Sequence, residues 1–584
     1  DAALFRAQFP LFAQPENSRL VYLDNAATTQ KPQCVIDAIT QFYLHDNANA
    51  HRASHRLARA ATTMLEQVRE KTARWLNAAS SDEIVFCRGA TEGLNLLAHG
   101  LTQSLQAGDE IILSVAEHHA NLVPWQMAAQ RRGLVLKFLP LRAYGLGGSG
   151  LDLDRLPELL TDRTRIVALT AASNALGFAV HIADVASQLK KHTHDVVLVV
   201  DAAQAIAHAG IDVKNWGCDF LVASAHKFYG PSGIGFVFGR SSRWQQMPPW
   251  QGGGEMIDTV TLLGATFAAP PHRFEAGTSA LASIAGLGAA IDFLQRQPRL
   301  AMQQHEAQLT QALHRRLAQL PWLRLLSTAD GNVGITAFRP LDTAGINHSD
   351  IAQWLDGHDI AVRSGTHCAQ PLIQQLGGAW LRASVAAYNT QHDIDCLCDA
   401  LVAMPLPAVL RSGGLVSGES DPATEAAVAR DAEGARRANP VCSKSSEQVF
   451  DDLTGLSLDA LTAAKGWQAR YALLLQWGER LARKPSIRCE ANRVAGCEAA
   501  VWLEHHKFGD SHRFAIDTES RVIRGLAVLL LLLMDQRTDD ELASLDLSAM
   551  LRDLGLTRHL TPSRVNGFRA LIDRAMQMVG MARF

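Results

Sequence analysis

From Val21 to about Asp292 short β-branched runs alternate with amphipathic stretches, and this alternation limits the chain more than any other feature. Ile84–Cys87, Glu110–Ser114, Ile166–Leu169, Val196–Val200 and Phe220–Ala223 read as strands, with helical patterns such as Glu92–His99 and Val185–Lys191 between them. Strand–helix–strand repeats of this kind close around a largely parallel sheet, so the expected fold class is α/β. The expected large domain covers about 20–292. A smaller α+β lobe is expected from the N-terminal segment with 293–406, opening on a long helix near Met302–Leu320. Together these make a first domain over 1–406. Residues 407–446 are rich in Gly, Ser, Ala and charge, which predicts a flexible linker. Apolar periodicity returns at Phe450, so a separate domain is expected over 447–584. A chain of 584 residues is long enough for both.

Charge and cysteine usage exclude several functions. The net charge is −3 and no run of Lys and Arg occurs, which argues against a nucleic-acid partner. The most apolar stretch, Gly525–Met534, is about half of the ~20 residues a membrane span needs and reads as a buried helix. Asp1–Pro10 shows no basic segment followed by an apolar run, so no signal peptide is expected. Nine cysteines at irregular spacing, with no CxxC pair, fit reduced thiols in a cytoplasmic protein better than a disulfide framework. Cys396 and Cys398 form a CxC pair on a helical pattern, which points them about 200° apart, and no metal site is expected.

Three segments carry chemistry. Ser224-Ala-His-Lys-Phe-Tyr-Gly follows a strand and sets Lys227 in a glycine-rich loop, where an amine can meet a cofactor aldehyde closely. Alone, Lys227 would read as a surface charge. However, Val196–Val200 runs into Asp201-Ala-Ala-Gln204, placing a carboxylate at the carboxyl end of a buried strand, where open α/β sheets bind ligands. Pyridoxal phosphate needs such a group to pair with its pyridinium nitrogen. Upstream, Ile84-Val-Phe-Cys-Arg-Gly-Ala-Thr91 reads as a strand, a turn and a helix start, where backbone N–H groups and the Thr91 hydroxyl can face a phosphate.

In these stretches, and in Tyr22-Leu-Asp-Asn-Ala-Ala, Glu117-His-His-Ala-Asn and Arg363-Ser-Gly-Thr-His-Cys368-Ala-Gln-Pro, the chain resembles the fold-type I pyridoxal-phosphate enzymes. Within them it is similar to the group II cysteine desulfurases of the SufS/CsdA type, over about Phe5 to Met404. The resemblance implies that Lys227 holds pyridoxal 5'-phosphate as a Schiff base, that His118 stacks on the ring and moves protons, and that Asp201 pairs with the ring nitrogen. It further implies that Gln204 contacts the ring hydroxyl and that Thr91, Ser224 and His226 bind the phosphate. Thr278 would reach the phosphate from a neighbouring subunit, which implies a homodimer. Arg382 would clamp the carboxylate of L-cysteine, with Asn174 and Arg363 nearby. Ala90, Ala225 and Ser279 depart from the family pattern without removing a catalytic group.

Desulfuration by this route needs an accessible thiolate. Cys368 lies in a short polar loop five residues after Arg363 and matches the family nucleophile. Cys34, Cys87 and Cys218 read as small buried hydrophobes. Beyond the linker, Asn492-Arg-Val-Ala-Gly-Cys497-Glu-Ala-Ala-Val-Trp, Asp517-Thr-Glu-Ser-Arg-Val-Ile-Arg and Ser563-Arg-Val-Asn-Gly resemble the SufE/CsdE sulfur acceptors. This implies sulfur transfer from Cys368 to Cys497, then to a downstream protein such as an iron–sulfur scaffold, with Cys442 and Cys489 as bystanders. A tether of ~35 residues reaches roughly 30–35 Å, which gives an effective concentration of order millimolar. The alternatives within the fold are a selenocysteine lyase or a cysteine-sulfinate desulfinase. A transaminase has no use for Cys368, and the alternative of another class is a non-catalytic sulfur-carrier scaffold.

Overall fold

The computed structural model describes residues 2–580 apart from 52–53, 143–149, 192–194, 209, 342–345, 407–449, 452, 465–466, 496–499, 519 and 546–561. It divides into two compact units, Asp1–Leu341 with Trp354–Met404, and Asp342–Gln353 with Pro405–Phe584. The expected linker lies outside the described residues.

The first unit is built on a seven-stranded sheet. Its strands are β1 (Ile84–Cys87), β2 (Glu110–Ser114), β3 (Val135–Leu139), β4 (Thr164–Thr170), β5 (Val197–Asp201), β6 (Phe220–Ser224) and β7 (Gly235–Gly239). Their spatial order is β1-β7-β6-β5-β4-β2-β3. Every neighbouring pair is parallel except those made by β7, which runs antiparallel to β1 and β6. The central strands are buried on both faces, as near-continuous Val, Ile and Leu runs require.

Helices α1 (Arg56–Trp75), α2 (Ala90–Thr102), α3 (Val123–Arg132), α4 (Ile182–Lys190), α5 (Leu281–Gln295) and α6 (Arg299–Leu317) accompany the sheet. The apolar α5 packs on α1, and Gly288 allows this because a Cβ there would come within 2.7 Å of Val68. The sequence reading found five of the seven strands. It missed β3, a half-exposed edge interrupted by Lys137, and β7, whose Gly-Phe-Val-Phe-Gly begins inside the glycine-rich loop.

A second, antiparallel sheet follows, with β8 (Leu323–Leu325), β9 (Ile335–Pro340), β10 (Arg363–Gly365) and β11 (Trp380–Ser384) in the order β8-β9-β11-β10. The N-terminal segment joins this lobe: Val21–Tyr22 pair in parallel with Ile360–Ala361, and Asp24 bridges to Ser384. The last helix of the first unit, α7 (Gln391–Val402), starts on a Thr390/Asp393 capping box.

In the second unit α8 (Trp467–Gly478) and α9 (Arg521–Met534) pack beside a hairpin of β12 (Val501–Phe508) and β13 (Ser511–Thr518), with α10 (Pro562–Met578) closing the core. The apolar run before Met534 is the buried helix expected. Gly525 lets α9 approach α8, since a Cβ there would lie 2.3 Å from the Leu474 carbonyl oxygen. Among the described residues no helix is long and apolar enough to cross a membrane.

One packing contact sets up the site. Gly235, at the start of β7, presses its α-carbon against the turn between β1 and α2: a Cβ would meet the Ala223 carbonyl oxygen at 2.4 Å and Gly89 Cα at 2.6 Å. Both obstacles are backbone and cannot swing aside. Gly235→Ala is therefore expected to destabilise the protein by about 1–3 kcal/mol and to lower cofactor retention. Gly253→Ala, whose Cβ would meet Ala276 at an ordinary 3.6 Å, should leave both unchanged. Thermal melts with parallel absorption spectra check this.

Candidate active site

The carboxyl ends of β5 and β6 open into a cavity of about 350 Å³ lined by Thr91, His118, Asn174, Asp201, Gln204, Ser224, His226, Lys227, Arg363, Cys368 and Arg382, among others. Eleven of the thirteen residues expected from sequence thus meet in one place. The other two do not. Thr278 lines a separate cavity with Arg88, Glu92 and Gly277, and Cys497 lies outside the described residues.

Asp201 ends β5 fully enclosed, with Oδ1 accepting from the Ala203 N–H at 2.9 Å. Burial raises its pKa, against the Ala203 N–H and Lys227, which lower it. Lys227 follows β6 in a short 3-10 turn. Burial pushes its pKa down to about 8, with Asp201 pulling the other way. An amine must be neutral to attack an aldehyde, so this environment primes Lys227 near physiological pH. The turn is held from below: the Lys31 ammonium donates to the His226 carbonyl oxygen at 3.1 Å, and the Thr29 hydroxyl donates to it at 3.2 Å.

At the start of α2 the Ala90 N–H donates to Ser224 Oγ at 2.7 Å, which leaves the Ser224 proton available to an anion. Gly89, at φ 154°, keeps this corner open, because a Cβ would come 3.0 Å from Ser224 Oγ. Glycine, a helix N-terminus, a hydroxyl donor and the His226 ring form a cradle suited to a phosphate. Gln204 donates from Nε2 to the Ala26 carbonyl oxygen at 2.7 Å, fixing its amide in the wall. A buried carboxylate, a neutralisable lysine and a phosphate cradle in one cavity fit pyridoxal phosphate.

His118 Nδ1 accepts from the Ala120 N–H at 3.0 Å, so its proton sits on Nε2 when the ring is neutral. Burial, then the nearby Lys227, His119 and Arg382 side chains, hold its pKa down to about 3, which keeps it neutral at physiological pH. Beneath it lies Glu117, to which the sequence reading assigned no role. Its carboxyl accepts from Ser114 Oγ at 2.5 Å, Asn121 Nδ2 at 2.7 Å and the Thr170 N–H at 3.1 Å. Burial raises its pKa to about 7 despite these donors. Glu117 thereby stitches the His118 turn to β2 and β4.

The Cys368 loop is tied down at several points. Asn174 Nδ2 donates to the His367 carbonyl oxygen at 2.7 Å, the His119 N–H to the Cys368 carbonyl oxygen at 2.7 Å, and the Gln370 N–H to His119 Nε2 at 3.0 Å. His367 and Cys368 both adopt left-handed backbone, with φ of 48° and 53°. Such residues persist only where their surroundings impose them, and they cluster at functional sites. Cys368 is the exposed member of the free cysteines Cys34, Cys87, Cys218, Cys368, Cys396 and Cys398. Cys489 departs from the expected reduced state: it is disulfide-bonded.

Asp24 was also missed. Its carboxylate accepts from Arg363 Nη2 at 2.8 Å and from Arg382 Nη2 at 3.1 Å, joining the two expected carboxylate binders. Arg382 is buried, with Nη1 donating to the Asn174 carbonyl oxygen at 2.7 Å and Nε without a hydrogen-bond partner among the described residues. An orphaned guanidinium donor beside the cavity is what a substrate carboxylate would satisfy.

The fold and this cavity define a pyridoxal-phosphate enzyme of fold-type I. Residues 21–397 match the class-V aminotransferase family, and residues 457–579 match the Fe-S metabolism associated domain, SufE. A cysteine desulfurase of Dickeya dadantii is 45% identical over 401 residues, which cover 68% of this chain and 95% of that one. The crystal structure of the cysteine desulfurase CsdA from Escherichia coli, as its S-sulfonic acid, is 41% identical with a TM-score of 0.62, over 69% of this chain and 98% of that one. The C-DES mutant K223A, with glycine covalently linked to its pyridoxal-phosphate cofactor, is 25% identical with a TM-score of 0.60, over 68% and 99%. The chain belongs to the class-V aminotransferase family, among its cysteine desulfurases, and carries a SufE domain in the same polypeptide.

The Lys227 environment has a measurable consequence. Covalent capture of added pyridoxal phosphate by the cofactor-free protein should rise with pH through a midpoint near 8, instead of near lysine's ordinary ~10.4. Asp201→Asn removes the neighbouring negative charge and should move the midpoint lower. Stopped-flow absorbance across pH reads both.

Proposed function

We propose that this chain converts L-cysteine to L-alanine at the cavity around Lys227, takes the sulfur onto Cys368 and passes it to Cys497. The observation that carries this is the placing of Cys368: an exposed thiol on a tied, left-handed loop, lining the same cavity as Lys227, His118 and Arg382. When bound, pyridoxal phosphate supplies the electron sink that lets the substrate's carbon–sulfur bond break.

The chain's own residues do the rest. Arg382 and Arg363 hold the substrate carboxylate, displacing Asp24 as their partner, while Asn174 keeps the Cys368 loop beside it. Neutral His118, with its proton on Nε2, gives and takes protons at the cavity wall. Cys368 attacks the substrate sulfur as thiolate. The carbon–sulfur bond breaks, a sulfur–sulfur bond forms, and the substrate carbon gains a proton, so cysteine and thiol become alanine and persulfide without an outside oxidant. Attack by the Cys497 thiol on the outer sulfur then regenerates Cys368.

We read the protein as a homodimer, with Thr278 as the residue that would reach a neighbouring subunit. Thr278 sits with Arg88 and Gly277 around a second cavity, apart from the phosphate cradle of its own chain, and suits a role toward a neighbouring subunit. A SufE domain in the same chain supports delivery of the sulfur toward iron–sulfur assembly in the cytoplasm.

Two experiments test the reading. After L-cysteine is added without reductant, peptide mass spectrometry should find an extra sulfur on Cys368 and Cys497 in the natural chain, and on Cys368 alone in Cys497→Ala. Alanine production with Cys497 unmodified would remove the relay and leave the desulfurase. Arg382→Ala should raise KM for cysteine roughly 10- to 150-fold, as loss of a charge-assisted hydrogen bond worth about 1.5–3 kcal/mol requires. Initial-rate kinetics of alanine release reads this.

A further inference from the structure

Away from the cavity, helix α1 gathers three potential ligands that the desulfurase reaction does not use. His51, Glu66 and His272 bring two imidazoles and a carboxylate to within 4.8 Å of one another, although they stand far apart in sequence. We propose that these three residues form a binding site for a zinc-type divalent cation, with a fourth position open to solvent.

One face of α1 builds the arrangement. Thr62, Glu66 and Arg69 stand at i, i+4 and i+7 and so share that face. Thr62 Oγ1 accepts from the His51 N–H at 2.7 Å and fixes the turn that presents His51. Arg69 pairs with both oxygens of Glu275 at 2.6 and 2.9 Å, and the Glu275 N–H closes the short turn that starts at His272. Glu66 projects between the two turns. The His51 and His272 rings lie 5.3 Å apart at 74°.

Two details indicate a ligand. Glu66 Oε2 accepts from Arg69 Nε at 3.1 Å, but Oε1 is buried and has no hydrogen-bond partner among the described residues. The Glu66 side chain as a whole is 41% exposed, but its shielded Oε1 lacks a partner there, and a cation held with the two imidazoles would satisfy it. In addition, His51 holds a left-handed backbone at φ 69°, a conformation that a non-glycine residue adopts at some cost.

Charge permits the ion. Arg69 lies close, yet Glu275 already offsets it, so Glu66 leaves the group of three side chains with one net negative charge. Two nitrogens and one oxygen are a zinc donor set, and bonds near 2.0–2.1 Å put tetrahedral ligands about 3.3 Å apart. The side chains must therefore close by at most about 1.5 Å from the observed spread, and His51, on an exposed turn, can move most. His51 and Glu66 line a surface cleft of about 620 Å³, whose walls include the oppositely charged Arg59 and Glu70, so a fourth ligand can come from water.

The test uses the full-length holoenzyme with its cysteines alkylated, so that thiols do not compete. Zinc chloride is titrated by calorimetry into the natural chain, His51→Ala, His272→Ala and Glu66→Gln. One site of the natural chain should weaken at least about tenfold in each variant. The cofactor absorption band and the melting temperature report folding. His51 is exposed, so His51→Ala decides the matter even if His272→Ala unfolds. Zinc bound equally by the natural chain and His51→Ala, or no zinc bound by the natural chain, overturns the proposal. Anomalous diffraction at the zinc edge, with a peak among the three side chains, would support it independently, and a peak elsewhere alone would count against it.

Discussion

Asp201 ends β5, and Lys227 lies in the turn just beyond the neighbouring parallel strand β6; the carboxyl is buried and the lysine half-buried in the cavity the sheet opens. Burial works against each charge separately: it raises the pKa of the carboxyl and lowers that of the amine. Their mutual attraction works the other way, yet burial is the largest influence on both. The result is an amine that titrates near 8, within reach of its neutral, nucleophilic form, beside a carboxyl position that a cofactor cation can stabilise. If either strand end were open to solvent, Lys227 would return toward an ordinary ammonium and the cavity would lose its reactive group.

The same cavity needs a second, opposite kind of group, an accessible sulfur nucleophile, and the fold supplies it from the other lobe. The 363–371 loop leaves β10 and is tied to the His118 turn by the His119 N–H and to the β4 side by Asn174. Two consecutive left-handed residues are tolerated because these bonds over-determine the loop. Asp24 completes the design from the N-terminal segment. It occupies Arg363 and Arg382 without closing the orphaned Nε of Arg382. Two guanidinium groups near one another repel, and a shared carboxylate holds them in place until a substrate carboxylate enters.

Lys227, Asp201, Ser224 and Thr91 were legible in the sequence because each stands at or just beyond a strand end, where position alone implies a role. Glu117 and Asp24 were not. A buried Glu117 can be recognised only through Ser114, Asn121 and the Thr170 N–H, and the last is on another strand. Asp24 reaches partners 339 and 358 residues away, a pairing that no local spacing encodes. Strand β7 escaped for a related reason: glycines that punctuate a loop in sequence serve here to let β7 lie against Gly89. The disulfide at Cys489 likewise contradicts a reading that rested on cysteine spacing alone.

The acceptor-type domain must satisfy a different constraint. A sulfur carrier has to approach a donor and leave it, so it cannot depend on the donor for its own core. Here α8, α9, α10 and the β12–β13 hairpin enclose a cluster drawn from Leu461 to Ala575, with Leu526, Leu529, Leu533 and Ile572 out of contact with water. The part-buried Arg488–Asp517 contact at 2.6 Å ties the segment before the Asn492–Val494 motif to the end of β13. Strand β12 begins just after Cys497 in sequence and pairs with β13 from Val501↔Thr518 to Phe508↔Ser511. The apolar cluster of this unit is drawn from its own residues, as a carrier that must approach and leave a donor requires.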